Sequence, residues 1–133
     1  MKKDEAAFLE MMLNSIDAQV ITEIKSPALL AKANARTSSI ASDYGLLVQR
    51  ADAVRDYIRG LILEVRQSVE KSFIEKISRS EMFDWDRKLA SLESKVIDCR
   101  YLGQRLNDQK IVDAANKIIS RVESLRESVR KWW

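Results

Sequence analysis

The chain has 133 residues, 46% of them hydrophobic and 32% charged, and a formal net charge of +3. One cysteine, one proline, three glycines and no histidine exclude a disulfide framework, an intrachain thiolate metal site and the usual general base of neutral-pH chemistry. So few turn formers also argue against a sandwich of short strands and leave an all-α domain.

The first predicted helix runs from about residue 4 to 25. Leu9, Leu13, Ile16, Val20 and Ile24 recur at spacings of three and four, which lines one helical face. Asp4 and Glu5 in its first turn complement the helix dipole. The sequence Lys25-Ser26-Pro27 marks a boundary, with Ser26 as N-cap and Pro27 at the first helical position, where a missing amide donor costs nothing.

A second helix is predicted over 27–66. Leu30, Ala33, Thr37, Ile40, Tyr44, Leu47, Ala51, Val54, Ile58, Leu61 and Val65 alternate three and four without interruption, the seam of a left-handed supercoil. As one rod it would be about 60 Å long, too long to cover its seam without a second long helix. Residues 67–80 form a more polar, basic connection in which Val69, Phe73 and Ile77 keep helical spacing, and Ser80 can cap the next helix.

The partner helix is predicted over 81–131. Met82, Trp85, Leu89, Leu92, Val96, Cys99, Gly103 and Leu106 repeat the alternation, and Ile111, Ala115, Ile118, Val122, Leu125, Val129 and Trp132 resume it after a one-residue slip. Asn107-Asp108 lies in the slip, which marks either a bend or a skip residue inside one helix. The expected architecture is a single domain, 1–133: a long antiparallel helical hairpin with the first helix beside it, packed like a coiled coil. Val48, Ile62, Phe83, Ile97, Leu102 and Ile119 lie off the seams. Their half-covered surface makes a homo-oligomer the expected state.

Nothing in this pattern implies an enzyme or a cofactor. Gly45, Gly60 and Gly103 are isolated, so no phosphate-cradling loop is present. Cys99 stands on an apolar seam and reads as packing. Asp84 and Asp86 are too divergent on a helix to hold a metal. No apolar run reaches membrane-spanning length, and a lone cysteine suits a reducing cytoplasm. The basic surplus is uneven: residues 1–48 carry 5 basic and 6 acidic side chains, and residues 49–133 carry 18 and 14. Arg55, Arg59 and Arg66 lie within roughly 40° of one another on a helix. Arg50 precedes them, and Lys71, Lys76 and Arg79 come after. This set reads either as a phosphate-tracking stripe or as a solvated face, since Asp52, Asp56, Glu64, Glu70 and Glu75 interleave with it. Tyr57, Phe73, Trp132 and Trp133 are candidate base-stacking rings or core residues.

Asp56-Tyr57-Ile58-Arg59-Gly60 is similar to an Asp-Tyr-Tyr-x-Gly segment, and Lys71-Ser72-Phe73-Ile74-Glu75-Lys76-Ile77-Ser78-Arg79-Ser80-Glu81 to Lys-Pro-Phe-x-x-Lys-Ile-x-Lys-Ser-Asp. Tyr101 on the next long helix, then Ser120-Arg121 and Trp132, complete a series whose order resembles the UvsY family, the recombination mediators of large tailed phages. The resemblance spans Asp56 to Trp133. It implies a ring-like or open homo-oligomer that binds single-stranded DNA and helps a RecA-like recombinase displace the phage single-stranded DNA-binding protein, in the host cytoplasm if phage-encoded. By carry-over, the region around Asp56–Gly60 and the basic connection face DNA, and the last helix serves assembly. The competing expectation is a coiled-coil adaptor, assembly factor or secretion chaperone that uses the same seams to bind protein.

Overall fold

The computed structural model describes residues 1–33, 39–71 and 79–132, with side chains described throughout these except at 39–42, 70 and 71. They form α1 (Lys3–Gln19), a π-helical turn (Val20–Ile24), α2 (Pro27–Ala33), α3 (Ser39–Lys71), α4 (Arg79–Arg105) and α5 (Gln109–Trp132). No strand occurs among the described residues, and no described helix is long and apolar enough to cross a membrane.

The first helix starts as its sequence requires. The Lys2 backbone amide donates to the Glu5 carboxylate at 3.2 Å, satisfying a donor that the helix leaves orphaned. After Gln19 the backbone widens. Lys25 N–H reaches back five residues to the Val20 carbonyl at 2.8 Å, and the Thr22 hydroxyl bonds the Ala18 and Gln19 carbonyls at 3.1 and 3.4 Å. Ser26 then caps α2, accepting from the Leu29 amide at 3.2 Å. The first apolar stripe is fully used: Leu9, Leu13, Ile16, Val20 and Ile24 are all buried.

Four helices close a ring. α1 packs on α3 and α5, and α4 also packs on α3 and α5. Each neighbour runs antiparallel to the next, as the cross-helix pairs show. Glu10 and Asp17 meet Arg66 and Arg55. Glu64 and Asp43 meet Lys88 and Arg105. Asp86 meets Arg126, and Arg100 meets Asn116. Phe8 meets Trp132, and Ser15 meets Arg121. The result is an up-down-up-down bundle whose centre holds Leu47, Ile58, Trp85, Leu89, Leu92, Ile118 and Leu125, all under 2% exposed.

This arrangement corrects the two-rod expectation at both long helices. The predicted helix over 81–131 is two helices, folded back on each other at 106–108. Asn107 takes φ 54, the left-handed conformation that asparagine tolerates better than most residues. Asn107 N–H donates to the Gln104 carbonyl at 3.1 Å and Asp108 N–H to the Gly103 carbonyl at 2.9 Å. That pair of bonds is the Schellman ending, so the slip in the seam is a stop signal. In place of the predicted helix over 27–66, α2 packs beside α3, with the Lys32 ammonium 5.2 Å from the Tyr44 ring centroid. The seam is weakest there, since Ala33 and Thr37 are its only members between Leu30 and Ile40; Thr37 and the side chain of Ile40 lie outside the described residues. Asp108 ties that end together by accepting from Tyr44 Oη at 3.2 Å and Lys32 Nζ at 3.4 Å. With a fourth helix in place, Ile62, Leu102 and Ile119 are buried and Val48 and Ile97 half-buried, so the off-seam surface expected to drive assembly is largely absorbed. Of that set only Phe83 is exposed. Ser80, the expected cap, lies inside α4.

At Gly103 side chains of α5 pack directly against the α4 backbone. A Cβ there would stand 2.8 Å from Ile111 Cγ2 and 3.3 Å from both Ile111 Cβ and Val112 Cγ2. These are branched side chains rooted on the facing helix, so they have little room to yield. At Gly60 an added Cβ meets nothing within 4 Å. Gly103→Ala should therefore cost about 1–2 kcal/mol, the overpacking penalty less the helix-propensity gain. Gly60→Ala should stabilise by about 0.5–1 kcal/mol. Thermal melts of the two variants should move in opposite directions.

Candidate nucleic-acid interface

The described members of the predicted strand-binding set do not form one stripe. Arg55 lies between α1 and α3, its Nε 3.1 Å from Asp17 Oδ1 with both side chains under 20% exposed. Arg66 bonds Glu10 Oε1 through Nη2 at 2.6 Å. Arg59 is exposed and, among the described residues, pairs with its helix neighbour Asp56 at 3.7 Å. Arg50 is exposed and makes no ion pair among the described residues, but it projects about 140° away from Arg55, on the α4 side of α3. Arg79 is exposed and sits with Cζ 5.6 Å from the Phe83 ring centroid. The side chain of Lys71, and Lys76 altogether, lie outside the described residues, as does Phe73.

Two of the guanidinium groups that the sequence placed on a phosphate track are thus paired with acids of α1. Periodicity located them correctly on α3, but it carries no information on which acids of another helix will face them.

The aromatic candidates divide similarly. Tyr57 is half-buried between α3 and α4: its hydroxyl donates to the Lys88 carbonyl at 3.1 Å, and the Lys95 ammonium stands 5.2 Å from its ring centroid. Trp132 packs edge-on to Phe8, with centroids 6.0 Å apart. Trp133 is outside the described residues. Two rings not singled out for stacking are the more open ones: Phe83 is 55% and Tyr101 61% exposed. Both are on α4, eighteen residues apart, which is five helical turns at about 3.6 residues each. Counting that interval along the sequence places them on one face. Arg79, Arg87 and Arg105 lie within about 40° of the same direction, and each is exposed.

Chemistry-bearing groups elsewhere are engaged in structure. Cys99 is buried, and burial pushes its thiol up to about 12, so it is no nucleophile. Asp84 bonds Arg87 and Lys88, while Asp86 bonds Arg126 and Arg130, so the two carboxylates point to different partners. No group of three metal-ligating side chains occurs among the described residues. Compared with known proteins, the chain matches no family model, no curated protein and no solved structure.

Asp86 has the most consequential charge environment. Arg126 Nε lies 3.0 Å from Oδ1 and Arg130 Nη2 3.1 Å from the same oxygen, while Arg126 Nη1 also reaches Glu93 at 2.9 Å. The Arg126 hydrogen bond, with help from Arg130, holds the Asp86 carboxyl below its ordinary range. A carboxylate with a depressed folded pKa stabilises the fold above its unfolded value, about 3.9, and loses that contribution as pH falls through the folded pKa. Asp86→Asn should lower the melting temperature at pH 7 and make little difference at a pH where the wild-type carboxyl is protonated. Melts across pH 2–7 would test this; a gap of constant size would show that ionisation of Asp86 contributes nothing.

Proposed function

We propose that the chain is a nonenzymatic recombination mediator. It binds single-stranded DNA as a homo-oligomer and promotes loading of a RecA-like recombinase in place of a single-stranded DNA-binding protein. The observation that carries this reading is the ordered likeness of Asp56–Gly60, Lys71–Glu81, Ser120-Arg121 and Trp132 to the UvsY family. Two physical features support it. The basic surplus belongs to residues 49–133, which carry 18 basic against 14 acidic side chains, and a polyanion is the partner such a surplus favours. Repeating a modest cationic surface around an oligomer also converts weak contacts into avidity.

One observation favours the adaptor reading instead. The interhelical pairing of Arg55 and Arg66 takes two cations out of the expected strand track, as expected if the arginines serve only packing and solubility. Under that reading the bundle binds protein through its outer faces.

Affinity for a short unpaired oligonucleotide separates the two. A mediator should bind at low salt, with log K falling linearly as log salt rises, because each phosphate contact releases counterions. Arg50→Glu with Arg59→Glu should weaken binding and flatten that slope while leaving the bundle folded, since both side chains are exposed. Replacing Arg55 or Arg66 would be a poor test, because a carboxylate there would face Asp17 or Glu10 and loosen the fold itself. A mediator should further speed recombinase filament formation on strand already coated with its binding protein. Weak, salt-insensitive binding would eliminate the mediator reading and leave the adaptor.

A further inference from the structure

We propose that the outer face of α4 is a stacking track for unpaired nucleic acid, with Phe83 and Tyr101 receiving bases and Arg79, Arg87 and Arg105 receiving phosphates. This rests on the strand-binding reading and moves its main contact surface from α3 to α4.

Exposure singles out two rings. The large hydrophobic side chains exposed among the described residues are Phe8, Met11, Ile21, Leu63, Phe83 and Tyr101. Phe8 already has the edge-on contact with Trp132. Phe83 and Tyr101 are the two exposed rings on α4, each more than half exposed, and they share the face opposite the core residues Trp85, Leu89, Leu92 and Val96. Their separation along the axis is about 27 Å at 1.5 Å per residue, a span long enough for several nucleotides. Between them the same face carries the small residues Ala90 and Ser94 together with the half-buried Ile97.

Charge then selects the partner. Arg79 and Arg87 stand one turn on either side of Phe83, and Arg105 stands one turn beyond Tyr101. Arg79 Cζ lies on one side of the Phe83 ring, 5.6 Å from its centroid. Arg87 is 78% exposed and paired to Asp84 within its own helix, and Arg105 is 57% exposed at a loose 3.9 Å from Asp43. Acids border the face as well: Asp86 is engaged by Arg126 and Arg130, Asp84 by Arg87 and Lys88, and Glu81 and Asp98 flank the two ends. At the Phe83 end, a shallow open depression of about 910 Å³ is lined by Arg79, Ser80, Glu81, Phe83, Asp84 and Arg87. An open ring flanked by guanidinium groups is the chemistry that holds unpaired bases without reading sequence: the base stacks on the ring and its phosphates meet the arginines. A duplex hides its base faces and cannot use the rings.

The test is the affinity of a thymidine oligonucleotide of about twelve residues, within the range of known single-strand sites, measured by anisotropy over a salt series. Phe83→Ala with Tyr101→Ala should lose affinity by roughly tenfold per ring with the salt slope unchanged. Arg87→Gln with Arg105→Gln should instead reduce that slope by about one or two. Phe83→Tyr with Tyr101→Phe, which keeps both rings, should retain wild-type affinity. An oligonucleotide lacking bases should bind the wild type and the double alanine variant equally. Circular dichroism and light scattering on each variant should be unchanged. Wild-type affinity in the double alanine variant, with binding lost instead in Arg50→Glu/Arg59→Glu, would overturn the α4 track and leave strand binding standing. A change in assembly size in the alanine variant would overturn it too, assigning the rings to contacts between copies. No strand binding by the wild type would remove both readings.

Discussion

Each of the four long helices carries one apolar stripe that must leave water, and the rest of the structure depends on how those stripes are covered. An amphipathic stripe is wide enough to need contact with two neighbours. A ring of four antiparallel helices provides this, and the interior fills with Trp85, Leu92, Ile58, Ile118 and their neighbours at essentially no exposure. Burial of such side chains, about 1.5–3 kcal/mol each, is the dominant favourable term, and it fixes which side of every helix faces outward. The close approach at Gly103 and the left-handed Asn107 are the local conditions for it. They let α5 return along α4 at close range, which covers both stripes.

The charges at the helix edges are a consequence of that ring. Arg55, Arg66, Lys88, Arg121 and Arg126 each meet a partner on an adjacent helix. A single exposed pair contributes only about 0–1 kcal/mol, and the more covered pairs at Arg55 and Arg126 add to core burial without replacing it. Their effect is selective: they engage cations along the seams and leave other basic groups, Arg50 and Arg87 among them, facing solvent. A net charge of +3 therefore says little about which surface is cationic. The answer depends on which acids the packing has placed opposite which bases.

The parts of the fold legible in the sequence were those set by spacing within one helix. The stripe from Leu9 to Ile24 and the Ser26 cap stand as read, and so does burial from Tyr44 to Val65 and from Met82 to Gly103. The slip after Leu106 was visible, yet its meaning was not, because a skip residue and a reversal leave the same mark. Only the φ of Asn107 and the two Schellman bonds decide between them. The placement of α2 against α3 depends on tertiary contacts that no periodicity encodes. At the candidate site, positions on α3 were readable but partners were not, which is why Arg55 and Arg66 looked available for phosphate. Phe83 was recognised as off the seam, and its eighteen-residue interval to Tyr101 was countable. What could not be counted was that every other large off-seam residue of that set would find cover and Phe83 would not.

A bundle whose stripes are closed can bind another molecule only through its outward faces, and those faces differ in kind. The outer side of α3 carries Gly60, Leu63, Asp56 and Arg59, a mixture in which opposite charges offset one another. That of α4 sets two exposed rings among three guanidinium groups, with Asp84 paired to one of them. A strand lying along α4 would release few counterions, because three arginines neutralise few phosphates, so stacking must supply much of the affinity for one chain. Binding of that kind is weak and tolerant of sequence, as the proposed mediator role would require. It becomes useful only when the face is repeated. A mediator built on this bundle therefore depends on assembly for its affinity, whereas an adaptor built on the same bundle would not.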